Sequence, residues 1–232
     1  MRPIVLIAIN FAREQLWPLF FLLLWVLGWA AFGLFGEPQA GAQDALMIFK
    51  QLAAYSVAFS VFFGSSAIRT DQRSRRILAV LSKAVSRRQY ILGLLLGIAM
   101  VLGGFCLCLG FTATWALGGF GLSVTGVWSG ILGLATACLL TASLTLFLST
   151  FLPPVFAAIG SGLIVGLLAL RGGTPTLVFP VYALLQPLLD ADFGTVWFPR
   201  LGVLALAWLE ILLLWVVASW IFSRRDLAVA TE

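Results

Sequence analysis

Residues 69–88 read RTDQRSRRILAVLSKAVSRR, and the arrangement of the whole chain follows from how this stretch is placed. It holds Arg69, Arg73, Arg75, Arg76, Lys83, Arg87 and Arg88, half of the 14 lysines and arginines in 232 residues. Long apolar runs flank it on both sides, and a Lys/Arg excess in a short loop between membrane spans marks the cytoplasmic side. Inside the stretch, Ile77, Val80, Leu81 and Ala84 recur at i, i+3, i+4 and i+7, while Arg75, Arg76, Ser82 and Lys83 occupy the opposite arc. The pattern predicts a short amphipathic helix beneath a membrane domain, which is a candidate docking surface.

Composition fixes the class around that loop. Hydrophobic residues make up 62% of the chain and charged residues 10%, with a mean hydropathy of +1.08, far outside the range of soluble domains. From Gln89 to Leu170 no residue is charged, and at about twenty residues per helical crossing that run alone has room for three spans. The net charge of +5 calls for no nucleic-acid partner, because the cations sit where membrane orientation puts them and no separate aromatic-basic stripe accompanies them.

Working outward, the reading is an all-α integral membrane protein with six spans in one transmembrane domain. The spans fall at about 17–35, 48–68, 89–112, 127–150, 155–170 and 201–222, and an interfacial helix covers about 3–16. Breaks lie at Gly36-Glu37-Pro38, the charged loop, Gly118 to Gly121, Pro153-Pro154 and Ser223-Arg224-Arg225. The first apolar run, Ile4 to Ile9, is followed by Asn10, Arg13 and Glu14, not by a small-residue cleavage site, so the N-terminus is expected to be retained. Trp17-Pro18 then bends this interfacial helix into the first span. Six crossings put both termini on one side. Arg2, Arg13, the loop, Arg224 and Arg225 fall inside, against Lys50, Arg171 and Arg200 outside, so both termini are expected in the cytoplasm. The segment 171–200 is broken by Pro175, Pro180, Pro187 and Pro199, with a short outer or re-entrant helix expected over Val181 to Leu189.

Several side chains are singled out by their place in apolar surroundings. Glu210 is the carboxylate near the middle of a span, where an ionisable group must be paired, protonated or turned to a polar cavity. It serves either as a functional group on a path or as a hydrogen-bonding partner of Thr141, Ser143 or Thr145. Tyr55, Phe59, Phe62 and Phe63 form an aromatic stripe at helical spacing, read either as helix packing or, for Tyr55, Phe59 and Phe63, as part of a translocation path. Gly93 and Gly97, and again Gly162 and Gly166, have the GxxxG spacing that admits close helix approach. Cys106, Cys108 and Cys138 read as packing residues; a disulfide or a soft-metal site competes poorly, since a CxC on a helix sends its sulfurs to divergent faces. The chain has no histidine and no GxxxxGK[ST] loop, so no metal site is expected and any ATP-driven work requires a nucleotide site on another chain.

Residues Asp71 to Gly93, DQRSRRILAVLSKAVSRRQYILG, resemble the cytoplasmic loop of ABC-2 type permeases at Leu78, Leu81, Ser82, Val85, Ser86, Arg87, Tyr90 and Gly93. The sequence departs from that pattern at Ala84, where proline is usual, at Leu94, where a basic residue is frequent, and in lacking Gly-Thr after the acidic residue. Arg13-Glu14 in an N-terminal helix, six spans, and a last span ending in Phe222-Ser-Arg-Arg-Asp226-Leu resemble the same family. The resemblance implies the transmembrane subunit of an ABC transporter in a bacterial plasma membrane. It would pair with a second permease copy and carry one separate ATPase subunit under each, with ATP and Mg bound there and no cofactor on this chain. Asp71, Arg73, Arg75, Arg76, Ser82, Lys83 and Arg87 would then contact the ATPase. The near absence of charge in the spans favours an apolar or amphipathic cargo, and the resemblance implies export. The competing class is a non-transporting membrane scaffold or assembly protein, because insertion rules alone also account for a basic loop. No convergent acid–base set points to an enzyme.

Overall fold

Long uncharged helices need partners along their whole length, and the molecule supplies them by gathering its helices around one central rod. The computed structural model describes residues 2–35, 42–73, 86–118, 123–170, 179–190 and 198–224. Among these residues every regular element is helical: α1 (Arg2–Glu14), α2 (Leu16–Phe35), α3 (Ala42–Arg73), α4 (Arg87–Gly118), α5 (Val124–Ser149), α6 (Pro154–Leu170), α7 (Val181–Leu189) and α8 (Leu201–Arg224). Four of them, α3, α4, α5 and α8, are long and apolar enough to cross a membrane, and α1 with α2 adds a fifth if the bent pair is one span. The chain is thus an all-α, multi-pass membrane protein. The remaining expected crossing coincides with α6, whose 17 residues extend about 25 Å, at the short end of the spanning range.

The central rod is α5. Its apolar window is 78% buried, against 17% for α8, and it packs on α3, α4, α6, α7 and α8. Small residues let the neighbours approach. A Cβ placed on Gly64 of α3 would stand 2.6 Å from the Ala142 carbonyl oxygen and 2.8 Å from the Thr145 Cβ. One on Gly133 of α5 would stand 2.8 Å from the Leu184 carbonyl oxygen. That notch seats α7, which turns Val181, Leu184 and Leu188 inward, contains Pro187, and is closed by the Asp190 N–H on the Gln186 carbonyl. The buried hydroxyls of α5 cost nothing unpaired, because Thr141 donates to the Ala137 carbonyl at 2.9 Å and Thr145 to the Thr141 carbonyl at 2.8 Å.

The N-terminal helix has a firmer seat than an interface alone would give it. Cβ atoms on Gly93 and Gly97 of α4 would meet Ile7 at 2.8 Å and the Ala8 carbonyl oxygen at 3.0 Å. The first GxxxG pair is therefore the bed of α1, which buries Ala8 and Phe11 there and leaves Val5, Leu6 and Ile9 exposed. The second pair is open, with no atom of another helix among the described residues within 4 Å of a Cβ placed on Gly162 or Gly166. Between α1 and α2 the axis bends by 57°. The ladder runs through Gln15, which donates to Phe11 at 3.1 Å and accepts from Leu19 at 3.0 Å, but Pro18 offers the Glu14 carbonyl no N–H and its ring crowds that oxygen.

Helices α3 and α4 are each 32 residues long, or about 48 Å at 1.5 Å per residue. The expected span 48–68 is therefore the middle of α3, while 89–112 leaves two residues of α4 before it and six after it. A bilayer core is about 30 Å thick, so each helix is longer than an upright crossing requires. Asp44 in the first turn of α3 favours extension there, since a carboxylate near a helix N-terminus opposes the macrodipole.

Candidate functional site

The base of α4 is built by a reciprocal cap. Ser86 Oγ accepts from the Gln89 N–H at 3.3 Å, and Gln89 Oε1 accepts from the Ser86 N–H at 3.1 Å. The S-x-x-Q signature at 86–89 was available in the sequence, and it moves Arg87 and Arg88 out of the loop and into the first turn of α4. A cation is unfavourable at its own helix N-terminus, and Arg87 avoids this by reaching across to the C-terminus of α8. Its Nη1 donates to the carbonyls of Phe222 at 3.1 Å and Ser223 at 3.0 Å, two of the acceptors a helix end leaves without intrahelical partners. Above it the rings of Tyr90 and Phe222 stack with centroids 5.8 Å apart and planes 21° from parallel; both residues are buried. On the outer side of the same turn the Arg224 guanidinium lies 4.0 Å over the Trp220 ring.

Of the other loop residues expected at the ATPase contact, Asp71 and Arg73 belong to the last turn of α3 by backbone. Arg75, Arg76, Ser82 and Lys83, with the amphipathic helix expected around them, lie outside the described residues.

Glu210 sits midway along α8, on the margin of the stripe Ala207, Ile211, Ala218 and Phe222 that α8 buries. Its Oε2 is buried and has no hydrogen-bond partner among the described residues. The hydroxyls offered by the sequence turn elsewhere: Thr141, Ser143 and Thr145 donate to the carbonyls of Ala137, Leu139 and Thr141. Trp215 Nε1 and Ser219 Oγ on the same helix are likewise buried without partners among the described residues.

The aromatic stripe divides. Tyr55 is 51% exposed and meets Trp25 of α2 edge-to-face at 5.9 Å, and Phe62 also faces outward. Phe63 is a core residue, and Phe59 packs partly buried beside that core. Helix α8 packs on α4, α5 and α7 and makes no substantial contact with α3. Within one copy, Glu210 is therefore not gathered with Tyr55 and Phe59 into one cavity. A shallow groove along α2, lined by Leu16, Trp17, Leu19, Phe20 and Leu23, is apolar.

The cysteines separate as helix geometry requires: Cys106 is buried and Cys108 exposed. Cys106 and Cys138, both buried, face each other across the α4–α5 contact. The register there is antiparallel, set by Gly110 against Trp128 and Ile131 and by the Phe111 and Trp128 rings at 5.1 Å. No cluster of three or more His, Cys, Asp or Glu occurs among the described residues.

Compared with known proteins, the chain matches no protein-family model, and a search of curated proteins finds no match.

Proposed function

We propose that the chain is the permease subunit of an ATP-binding-cassette transporter of the ABC-2 type, an exporter of an apolar or amphipathic substrate driven by a separate ATPase. The observation that carries this reading is the seven-cation stretch 69–88, strung between two long apolar helices. Helices α3 and α4 pack against the central α5, so force applied at the loop has rigid rods to act on. In this reading the chain has six spans, α1 lies at the cytoplasmic interface, and the ATPases, with ATP and Mg, sit beneath a dimer of permeases in a bacterial plasma membrane.

The geometry supports that topology. The start of α4 and the end of α8 meet at Arg87 and Ser223, while α7 packs on α5 at Gly133, in the half of α5 away from that meeting point. Helices alternating in direction from a cytoplasmic start produce this arrangement.

The test is charge reversal of the loop. Arg75→Glu, Arg76→Glu and Lys83→Glu together are expected to abolish co-purification of the ATPase and ATP-dependent activity, with membrane insertion intact. Unchanged assembly and turnover would leave the non-transporting scaffold as the better account, in which the cations only orient the spans.

A further inference from the structure

We infer that Arg87 and Tyr90 form a clasp that carries movement of the 69–88 loop into α8. Arg87 is then a positioning residue inside the permease, and not a contact on the ATPase surface. The inference rests on the permease reading and adds to it the route by which the loop reaches a span.

Three features of the clasp support this. First, it is stiff at the loop side. The reciprocal Ser86–Gln89 cap fixes the first turn of α4, so Arg87 moves with the helix that the loop enters. Second, it joins α8 by two kinds of contact at one place. Charge-assisted bonds from Arg87 hold the Phe222 and Ser223 carbonyls, and the Tyr90 ring covers the Phe222 ring. Backbone carbonyls cannot rotate away as a side chain can, so a shift of Arg87 is passed to the α8 axis.

Third, α8 is the long span least held within one copy. Its apolar window is 17% buried there, the least of the four long candidate spans, so few contacts inside the copy oppose its displacement. Pulled at Phe222, α8 moves as a rod that carries Glu210, which lies twelve residues, or about 18 Å, further along it.

The experiment uses the permease co-purified with its ATPase and reconstituted in lipid. Backbone hydrogen exchange of residues 214–224 is followed with and without trapping of the ATPase by vanadate. Wild type is expected to show a trapping-dependent change in exchange. Arg87→Gln is expected to lose that change while the ATPase still co-purifies, and Arg87→Lys, which keeps a cationic donor, to recover part of it. Phe222→Leu keeps the backbone carbonyl and much of the core volume but removes the ring stack, so it reads the same link if Arg87→Gln does not insert.

Loss of the bound ATPase in Arg87→Gln would overturn the inference by making Arg87 a docking contact. A trapping-dependent change that persists in Arg87→Gln or Phe222→Leu would overturn it as well, as would its absence in wild type. Failure of any ATPase to co-purify with wild type is a separate outcome, and it overturns the permease reading itself.

Discussion

Gly64 lies so close to Ala142 that a Cβ on the glycine would stand 2.6 Å from the Ala142 carbonyl oxygen. Backbone cannot yield as a side-chain tip does, so Gly64→Ala must push α3 away from α5 along an extensive helix contact. Overpacking of this kind costs roughly 1–3 kcal/mol. Thermal unfolding in detergent should show the loss. Gly104→Ala is the control, since nothing lies within 4 Å of that position and replacing glycine in a helix interior gains up to about 1 kcal/mol. Equal stability of the two variants would refute the close α3–α5 contact.

The seat of α1 gives a second test. A side chain at Gly97 meets the Ala8 carbonyl oxygen at 3.0 Å and Phe11 at 2.9 Å. Gly97→Val is expected to lift α1 from α4 without unfolding the bundle. A cysteine at Ala8, a position only 2% exposed, should resist a membrane-permeant maleimide in the parent and react in the Gly97→Val background, after the native cysteines are replaced. Protection that survives Gly97→Val would mean that α1 is held by other contacts.

How much of this was legible beforehand depends on what each residue signals alone. The apolar runs and their Pro/Gly breaks mark where helices lie, because length without charge is itself the signal. The helix after Pro180 is readable for the same reason, and the charge at Asp190 marks its end. The partners of the helices are not readable. Helix α4 is apolar all round, so no periodicity distinguishes the face that takes α1 at Gly93 from the face that takes α5 at Gly110. The two GxxxG pairs look alike in sequence, yet one is filled and the other open. Arg87 reads as one of seven loop cations until the Ser86–Gln89 cap and the α8 carbonyls, 135 and 136 positions along the chain, assign it to a helix. Glu210 was offered Thr141, Ser143 and Thr145, but a hydroxyl in a helix finds its own carbonyl one turn back more readily than a group on another helix.

The direction of the chain in the membrane is open to labelling. With both termini inside, cysteines introduced at Ala42 and at Gly194 should react with an impermeant thiol reagent added from outside, and one at Ser74 should not. The native Cys108 is exposed and must be replaced first, together with Cys106 and Cys138. Outside labelling at Ser74 would invert the topology and place the basic loop on the wrong side for a cytoplasmic ATPase.

Glu210 distinguishes a structural carboxylate from a working one. Interhelical polar contacts in membranes are worth on the order of 1 kcal/mol, and a carboxylate serving as such glue would hold a hydroxyl; Glu210 Oε2 holds none among the described residues. Removing the carboxylate should therefore cost the bundle little: Glu210→Leu is expected to unfold within about 1 kcal/mol of wild type, since a buried polar atom without a partner contributes no stability to lose. A functional carboxylate behaves differently under the milder change. Glu210→Gln keeps the shape and a hydrogen-bonding amide but cannot carry charge or exchange a proton, and it is expected to lower transport per ATP hydrolysed in a complex that still assembles. Measured side by side, stability unchanged with transport impaired assigns Glu210 to the path, whereas an unstable Glu210→Leu with a fully active Glu210→Gln would return it to the role of glue.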